Sequence, residues 1–182
     1  MISNAITTLR ILLLAPLYLL ASAASAELRW AALAVFLIAG LTDILDGYVA
    51  RRLHETSKAG ALLDLIADRL LTLVGVAAVA ASGALAGVWL IAGVLLIARD
   101  VVVAALGEAL PGELDIRVSA IERVKIALQF TGLGLLIAPS LSWAIAGESH
   151  DLGRWGLVFS AALACVTTFD YGLRAFRKLT SR

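Results

Sequence analysis

The chain has 182 residues, of which 61% are hydrophobic and 16% are charged, and its mean hydropathy is +0.95. Because soluble domains are about 45–50% apolar and about 25% charged, this composition predicts an integral membrane protein. The net charge of +1, from 15 basic and 14 acidic residues, excludes the basic surface on which nucleic-acid binding depends. The single cysteine, Cys165, excludes an intrachain disulfide and a cysteine-based metal site.

Six windows are long and apolar enough to span a membrane, for which an α-helix needs about 20 mostly apolar residues. We therefore predict an all-α fold, an integral membrane bundle of six transmembrane helices in a single domain over residues 1–182. A secretory signal is disfavoured, because the only early basic residue, Arg10, lies at the edge of the first apolar run and not ahead of it. In chain order the windows are about 6–26, 30–50, 60–82, 86–107, 122–146 and 153–175.

The connections between the windows differ in charge. Gly83 to Gly87 is short and uncharged, and further loops are predicted around Pro111 and Gly112 and from Ala146 to Gly153. The connections on one side are basic, whereas the other side offers only Arg29 and Arg154. By the positive-inside rule both termini are cytoplasmic, in what we expect to be a bacterial inner membrane. The basic side carries Arg51, Arg52, Lys58, Arg117, Arg123, Lys125, Arg174, Arg177, Lys178 and Arg182.

Four aspartates lie at the cytoplasmic ends of the second and third segments. Asp43 is paired with Asp46, and Asp64 with Asp68, at spacings of three and four residues that share one helix face. Charge in such a setting costs several kcal/mol unless it is paired, hydrated or metal-bound. Two antiparallel helices would make a four-carboxylate cage suited to Mg2+ or Mn2+, which bridge carboxylates to phosphates.

Two glycines and a cation accompany the aspartates. Gly47 and Gly60 remove side chains where a ligand could approach closely, and Arg51 could neutralise a diphosphate. The alternative is a structural one, in which the carboxylates pair with Arg51, Arg69 or Arg99 only to hold helices together.

Residues 43 to 68 match D-x-x-D-G-x-x-A-R-x8-G-x-x-x-D-x-x-x-D at every fixed position. In this run the chain resembles the CDP-alcohol phosphatidyltransferase family. The resemblance extends over nearly the whole chain and includes a short N-terminal amphipathic segment, with Asn4, Thr7, Arg10 and Pro16, that leads into the first helix. Arg99-Asp100, Lys125 and Gln129 are similar to the phosphatidylglycerol and cardiolipin branch of the family.

The resemblance implies a reaction in which a hydroxyl of an acceptor alcohol attacks the β-phosphorus of CDP-diacylglycerol and releases CMP. It implies two Mg2+ or Mn2+ ions, and Asp68 as general base as well as metal ligand. A homodimer is a further expectation from the resemblance. The implied metal ligands are Asp43, Asp46, Asp64 and Asp68, and the implied CDP-binding residues are Gly47, Ala50, Arg51 and Gly60.

The sequence leaves two acceptors open, glycerol 3-phosphate and phosphatidylglycerol. Arg99, Arg123 and Lys125 could gather to hold an acceptor phosphate, or they could be ordinary positive-inside flanking charge. Glycerol 3-phosphate enzymes of the family commonly carry Leu-Arg-Glu where this chain has Leu106-Gly107-Glu108. Because this chain lacks that cation, phosphatidylglycerol, the acceptor of cardiolipin synthases, is almost as well supported as glycerol 3-phosphate. We favour glycerol 3-phosphate, the acceptor of phosphatidylglycerophosphate synthases.

Two other classes of protein are weighed against the enzyme. Intramembrane acids also mark the pathways of ion channels and proton-coupled transporters, although one acidic cluster in one half of the chain does not suggest the inverted repeats of many transporters. The second is a catalytically silent relative that serves as a membrane assembly partner. The intact aspartates disfavour it.

Overall fold

The computed structural model describes residues 2–53, 58–109, 120–139 and 146–180, and within these helices it leaves out the side chains of residues 2–5, 43–53, 58–59, 61, 146–147 and 179. The described part holds six α-helices and no strand, which confirms the all-α prediction and the number of helices. They are α1 (Ile2–Ala21), α2 (Ala26–Leu53), α3 (Lys58–Ala81), α4 (Leu90–Ala109), α5 (Ala120–Ile137) and α6 (Ala146–Thr180).

Two of these helices have the length and composition of a membrane span within the described residues. They cover Gly87–Ala109, which includes a 3-10 turn at Gly87–Trp89, and Glu148–Lys178. A shorter apolar helix covers Ile6–Ala21. The six-span bundle therefore stays a prediction for the other helices.

The predicted boundaries of the last two segments are wrong. α5 ends at Ile137 and not near residue 146, because Pro139 disfavours a helical conformation at the residue before it. The predicted loop from Ala146 to Gly153 is helical, since α6 already begins at Ala146. The turn between α3 and α4 is as predicted, and Gly83 and Gly87 both take positive φ angles there, of 76° and 59°. The predicted loop around Pro111 lies outside the described residues.

The helices form two groups, joined by α5 and by a contact between α3 and α4. α1 packs against α2 and α3, α6 packs against α4 and α5, and α5 also contacts α2 and α3. α1 runs through Pro16 without a break. Its N-terminal half is amphipathic, with Thr7 and Arg10 buried and Leu9 and Leu12 exposed. The polar face of this helix is thus turned toward the interior of the bundle.

Two arginines contact backbone carbonyl oxygens at the side opposite the aspartates. Arg29 donates to the carbonyl oxygens of Leu136 and Ile137, at 2.6 and 3.2 Å, and so caps the last turn of α5. Arg154 donates to the carbonyl of Ala84 at 3.0 Å. The carbonyl oxygens of these three residues thus accept hydrogen bonds from arginine side chains.

Glycines bring α5 and α6 into close backbone contact. A Cβ atom built on Gly132 would lie 2.9 Å from the carbonyl oxygen of Gly153, and one built on Gly153 would lie 3.0 Å from that of Gly132. Neither oxygen can move without shifting a helix. This pair therefore fixes the separation of the two helices that make the most extensive contact in the described bundle.

We expect Gly132→Ala to lower the free energy of unfolding by about 1–3 kcal/mol, because the added methyl group meets backbone. The matched control is Gly172→Ala, since a Cβ at Gly172 meets nothing within 4 Å and alanine favours the helix by up to about 1 kcal/mol. Thermal unfolding in detergent micelles measures both. Equal melting temperatures for the two variants would contradict the close contact.

Candidate active site

The four aspartates lie on the two helices predicted for them. α2 includes positions 43 and 46, and α3 presents Asp64 and Asp68 one turn apart near its start. The side chains of Asp43 and Asp46, like those of Ala50 and Arg51, lie outside the described part. Among the described residues no group of three or more acidic, histidine or cysteine side chains could hold a metal ion. The four-carboxylate cage therefore stays a prediction.

A buried arginine on α1 orients one of these carboxylates. Nη1 of Arg10 donates to Oδ1 of Asp64 at 3.2 Å, and the arginine side chain is 0% exposed whereas that of the aspartate is 49% exposed. One side of the Asp64 carboxylate is thus held from the interior while the rest faces outward. Arg10 lies in the first helix as expected from the sequence, but its pairing with Asp64 was not predicted. Its one available signal was a charge within an apolar segment.

Asp68 opens into a polar cavity between α3, α4 and α5. The cavity has a volume of about 170 Å3, and its lining includes Asp68, Arg69, Arg99, Lys125 and Gln129. The candidate general base and two of the three candidate acceptor-binding cations thus share one cavity.

The two cations belong to a cluster with two carboxylates, Asp100 and Glu122. Arg99 donates to Asp100 Oδ1 at 3.2 Å and also to Glu122 Oε1. Nζ of Lys125 lies 3.8 Å from Asp100 Oδ1 and 3.8 Å from Glu122 Oε2. The formal charges of the four groups cancel. Glu122 was not among the predicted site residues, although its i,i+3 spacing to Lys125 puts the two on one face of α5.

Arg123, the third candidate for acceptor binding, is not part of this cluster. Successive residues of a helix point about 100° apart, so the face of α5 that buries Glu122 and Lys125 leaves Arg123 exposed. The structure therefore brings together Arg99 and Lys125 but not Arg123.

A buried hydrogen bond lies at the inner side of the same cavity. Nε2 of Gln129 donates to the hydroxyl of Thr72 at 2.7 Å and links α5 to α3. Within the described part of the chain, Oε1 of Gln129 and Nε of Arg99 are buried without a hydrogen-bond partner. Because buried polar atoms are nearly always paired, these two atoms are candidates for ligand contacts.

Arg99 also borders a second, apolar groove between α4 and α6. Its volume is about 610 Å3, and Cys165 and Phe169 line its α6 side. The cysteine is exposed there. Arg99 thus lines both a polar cavity and an apolar groove.

The family model for CDP-alcohol phosphatidyltransferases matches residues 1–167. A Pseudomonas fluorescens protein named CDP-diacylglycerol--glycerol-3-phosphate 3-phosphatidyltransferase is 35% identical over 174 residues, which cover 89% of this chain and 86% of that protein. A Cereibacter sphaeroides protein of the same name is 33% identical over 184 residues, with 82% and 81% covered. No solved structure matches the chain significantly.

We expect Arg10→Gln to lower the free energy of unfolding by about 1–3 kcal/mol, because the carboxylate of Asp64 loses a buried charged donor. The control is Arg174→Gln, whose ion pair with Asp170 is half-exposed on both sides. Removing such a pair changes stability by less than about 1 kcal/mol. Thermal unfolding of both variants in one detergent tests this, and a larger loss for the control than for Arg10→Gln would contradict it.

Proposed function

Because the chain belongs to the CDP-alcohol phosphatidyltransferase family, and so is a transferase of phospholipid biosynthesis, we propose that it transfers the phosphatidyl group of CDP-diacylglycerol to glycerol 3-phosphate. The relatives' names supply this acceptor. The observation that carries the proposal is the single cavity that Asp68 shares with Arg99 and Lys125. The family assignment also sets aside the transporter alternative.

The proposed chemistry at this cavity is a displacement at phosphorus. Asp68 is exposed within α3 and takes the proton of the acceptor hydroxyl as general base. The hydroxyl oxygen forms a bond to the β-phosphorus of the donor, and the bond from that phosphorus to the oxygen shared with CMP breaks. CMP leaves with the electron pair, and the product is a phosphodiester.

The acceptor's own phosphate would be held by Arg99 and Lys125. An arginine fork suits two phosphate oxygens at once, and a lysine adds a point charge. The buried Nε of Arg99 and Oε1 of Gln129, which lack partners in the described part of the chain, supply a donor for a phosphate oxygen and an acceptor for a glycerol hydroxyl. A polar ligand of this kind would satisfy both atoms.

The proposed reaction uses a divalent metal, Mg2+ or Mn2+, and two ions are expected. Asp43, Asp46, Asp64 and Asp68 would hold it, and their hard oxygen donors fit such ions. The accessibility of the Asp64 and Asp68 carboxylates is in keeping with that role. When bound, the metal would neutralise charge on the transferring phosphoryl oxygens. Gly47, Ala50, Arg51 and Gly60 would line the CDP site beside it.

We place all six helices across a membrane, with both termini and the active site on the cytoplasmic side. The support is the outer surface, where large apolar side chains are exposed on every helix while polar ones such as Thr7, Arg10 and Lys125 are buried. A surface of this kind fits lipid better than water. The basic connections near the aspartates favour the cytoplasmic side.

A second acceptor, phosphatidylglycerol, would make the protein a cardiolipin synthase. Two observations favour it. Position 107 on α4 is a glycine and supplies no second cation, and the apolar groove beside Arg99 could receive an acyl chain of a lipid acceptor.

Detergent-purified protein given CDP-diacylglycerol and Mn2+ is expected to release CMP with glycerol 3-phosphate and not with phosphatidylglycerol. Asp68→Asn should lower kcat by about 100-fold or more, because general-base catalysis contributes about 100- to 10,000-fold. Asp151→Asn, which removes an exposed carboxylate from the start of α6, is the matched control and should retain activity. Turnover with phosphatidylglycerol alone would instead establish the second acceptor.

We expect EDTA to abolish CMP release and Mg2+ or Mn2+ to restore it, because the proposed reaction needs a cation at the phosphoryl oxygens. Asp64→Asn should raise the metal concentration needed for half-maximal activity. The measurement is a titration of each metal against chelated protein. Full activity in excess chelator would rule out the metal.

A further inference from the structure

We propose that Glu122 is an internal counterion that occupies the anion position between Arg99 and Lys125, and that the acceptor's phosphate must displace it. This inference rests on the proposed function, since it concerns how the same cavity receives a phosphorylated acceptor. It assigns to Glu122 a specificity-determining role that sets the affinity for that acceptor.

The geometry of the carboxylate carries the argument. Glu122 is buried, and it uses both oxygens: Oε1 accepts from Arg99, and Oε2 lies 3.8 Å from Nζ of Lys125. A phosphate monoester held by the same two cations would place its oxygens in the same way. The side chain and such a ligand therefore compete for one position.

The charge balance of the cluster also supports displacement of Glu122 by the phosphate. Asp100 also faces both cations, at 3.2 and 3.8 Å, so that two carboxylates cancel the charges of Arg99 and Lys125. An incoming phosphate then meets a neutral cluster and gains little net attraction. Once one carboxylate is displaced, the two cations can pair with the phosphate. Glu122 is the better candidate because its two oxygens meet the two cations separately, as two oxygens of a phosphate would, whereas Asp100 meets both cations through Oδ1.

The displaced carboxylate would not be left unstabilised. Glu122 lies in the first turn of α5, where the exposed N–H groups and the helix dipole favour negative charge. It also borders the polar cavity and not the apolar core. A buried ion pair is weak evidence for a purely structural role, because its desolvation cost can match its attraction.

The test compares wild-type protein with Glu122→Gln, in which an amide of the same shape can still accept a hydrogen bond from Arg99. The KM for glycerol 3-phosphate should fall about tenfold with kcat little changed, because one charge-assisted contact no longer competes. Isothermal titration with glycerol 3-phosphate and with inorganic phosphate, without donor lipid, should show the same tightening. Glu148→Gln, which removes an exposed carboxylate in the first turn of α6, is the matched control and should change neither value.

An unchanged or higher KM in Glu122→Gln, or weaker phosphate binding, would overturn the proposal, because Glu122 would then shape the site for the ligand. Glu122→Asp serves if the first variant does not fold; its shorter side chain cannot span both cations and should tighten binding less strongly. If neither protein turns over glycerol 3-phosphate but Glu122→Gln binds phosphate more tightly, the proposed acceptor fails and the counterion role stands.

Discussion

A buried charge in an apolar bundle must find a partner, and this requirement organises the polar interior of the protein. Arg10 reaches from α1 to Asp64 on α3, and Arg99 reaches from α4 to Glu122 on α5. The hydrogen bond between Gln129 and Thr72 joins α5 to α3. Each contact crosses between helices, so the groups that satisfy one another's charge or hydrogen bonds also set the positions of the helices around the cavity.

The two ends of the bundle are held by different interactions. At the end away from the aspartates, Arg29 and Arg154 donate to backbone carbonyls, and Gly132 and Gly153 allow close contact. The other end concentrates carboxylates and cations beside a cavity. Structure is thus stabilised at one end by contacts that involve no substrate, which leaves the charged residues of the other end available for chemistry.

Hydropathy was enough to predict six helices, because each apolar segment is long and the segments are separated by polar or glycine-containing connections. Hydropathy could not predict where α5 ends, because a hydropathy average over a long window changes little at a single proline such as Pro139. The pairs Arg10–Asp64 and Arg99–Glu122 were also beyond reach, because they depend on how helices pack. The exposure of Arg123 was within reach, because helical periodicity alone separates it from Lys125.

For the proposed reaction, the choice of acceptor depends on a balance of charge. The chain has glycine at position 107, where the glycerol 3-phosphate enzymes that it resembles commonly have arginine, and it has a glutamate at position 122 that pairs with Arg99. Both features lower the attraction for a small phosphorylated acceptor. Binding of the proposed substrates would then rely more on contacts that carry no charge, and the apolar groove that borders Arg99 is where a lipid-linked acceptor or the donor's acyl chains would supply them.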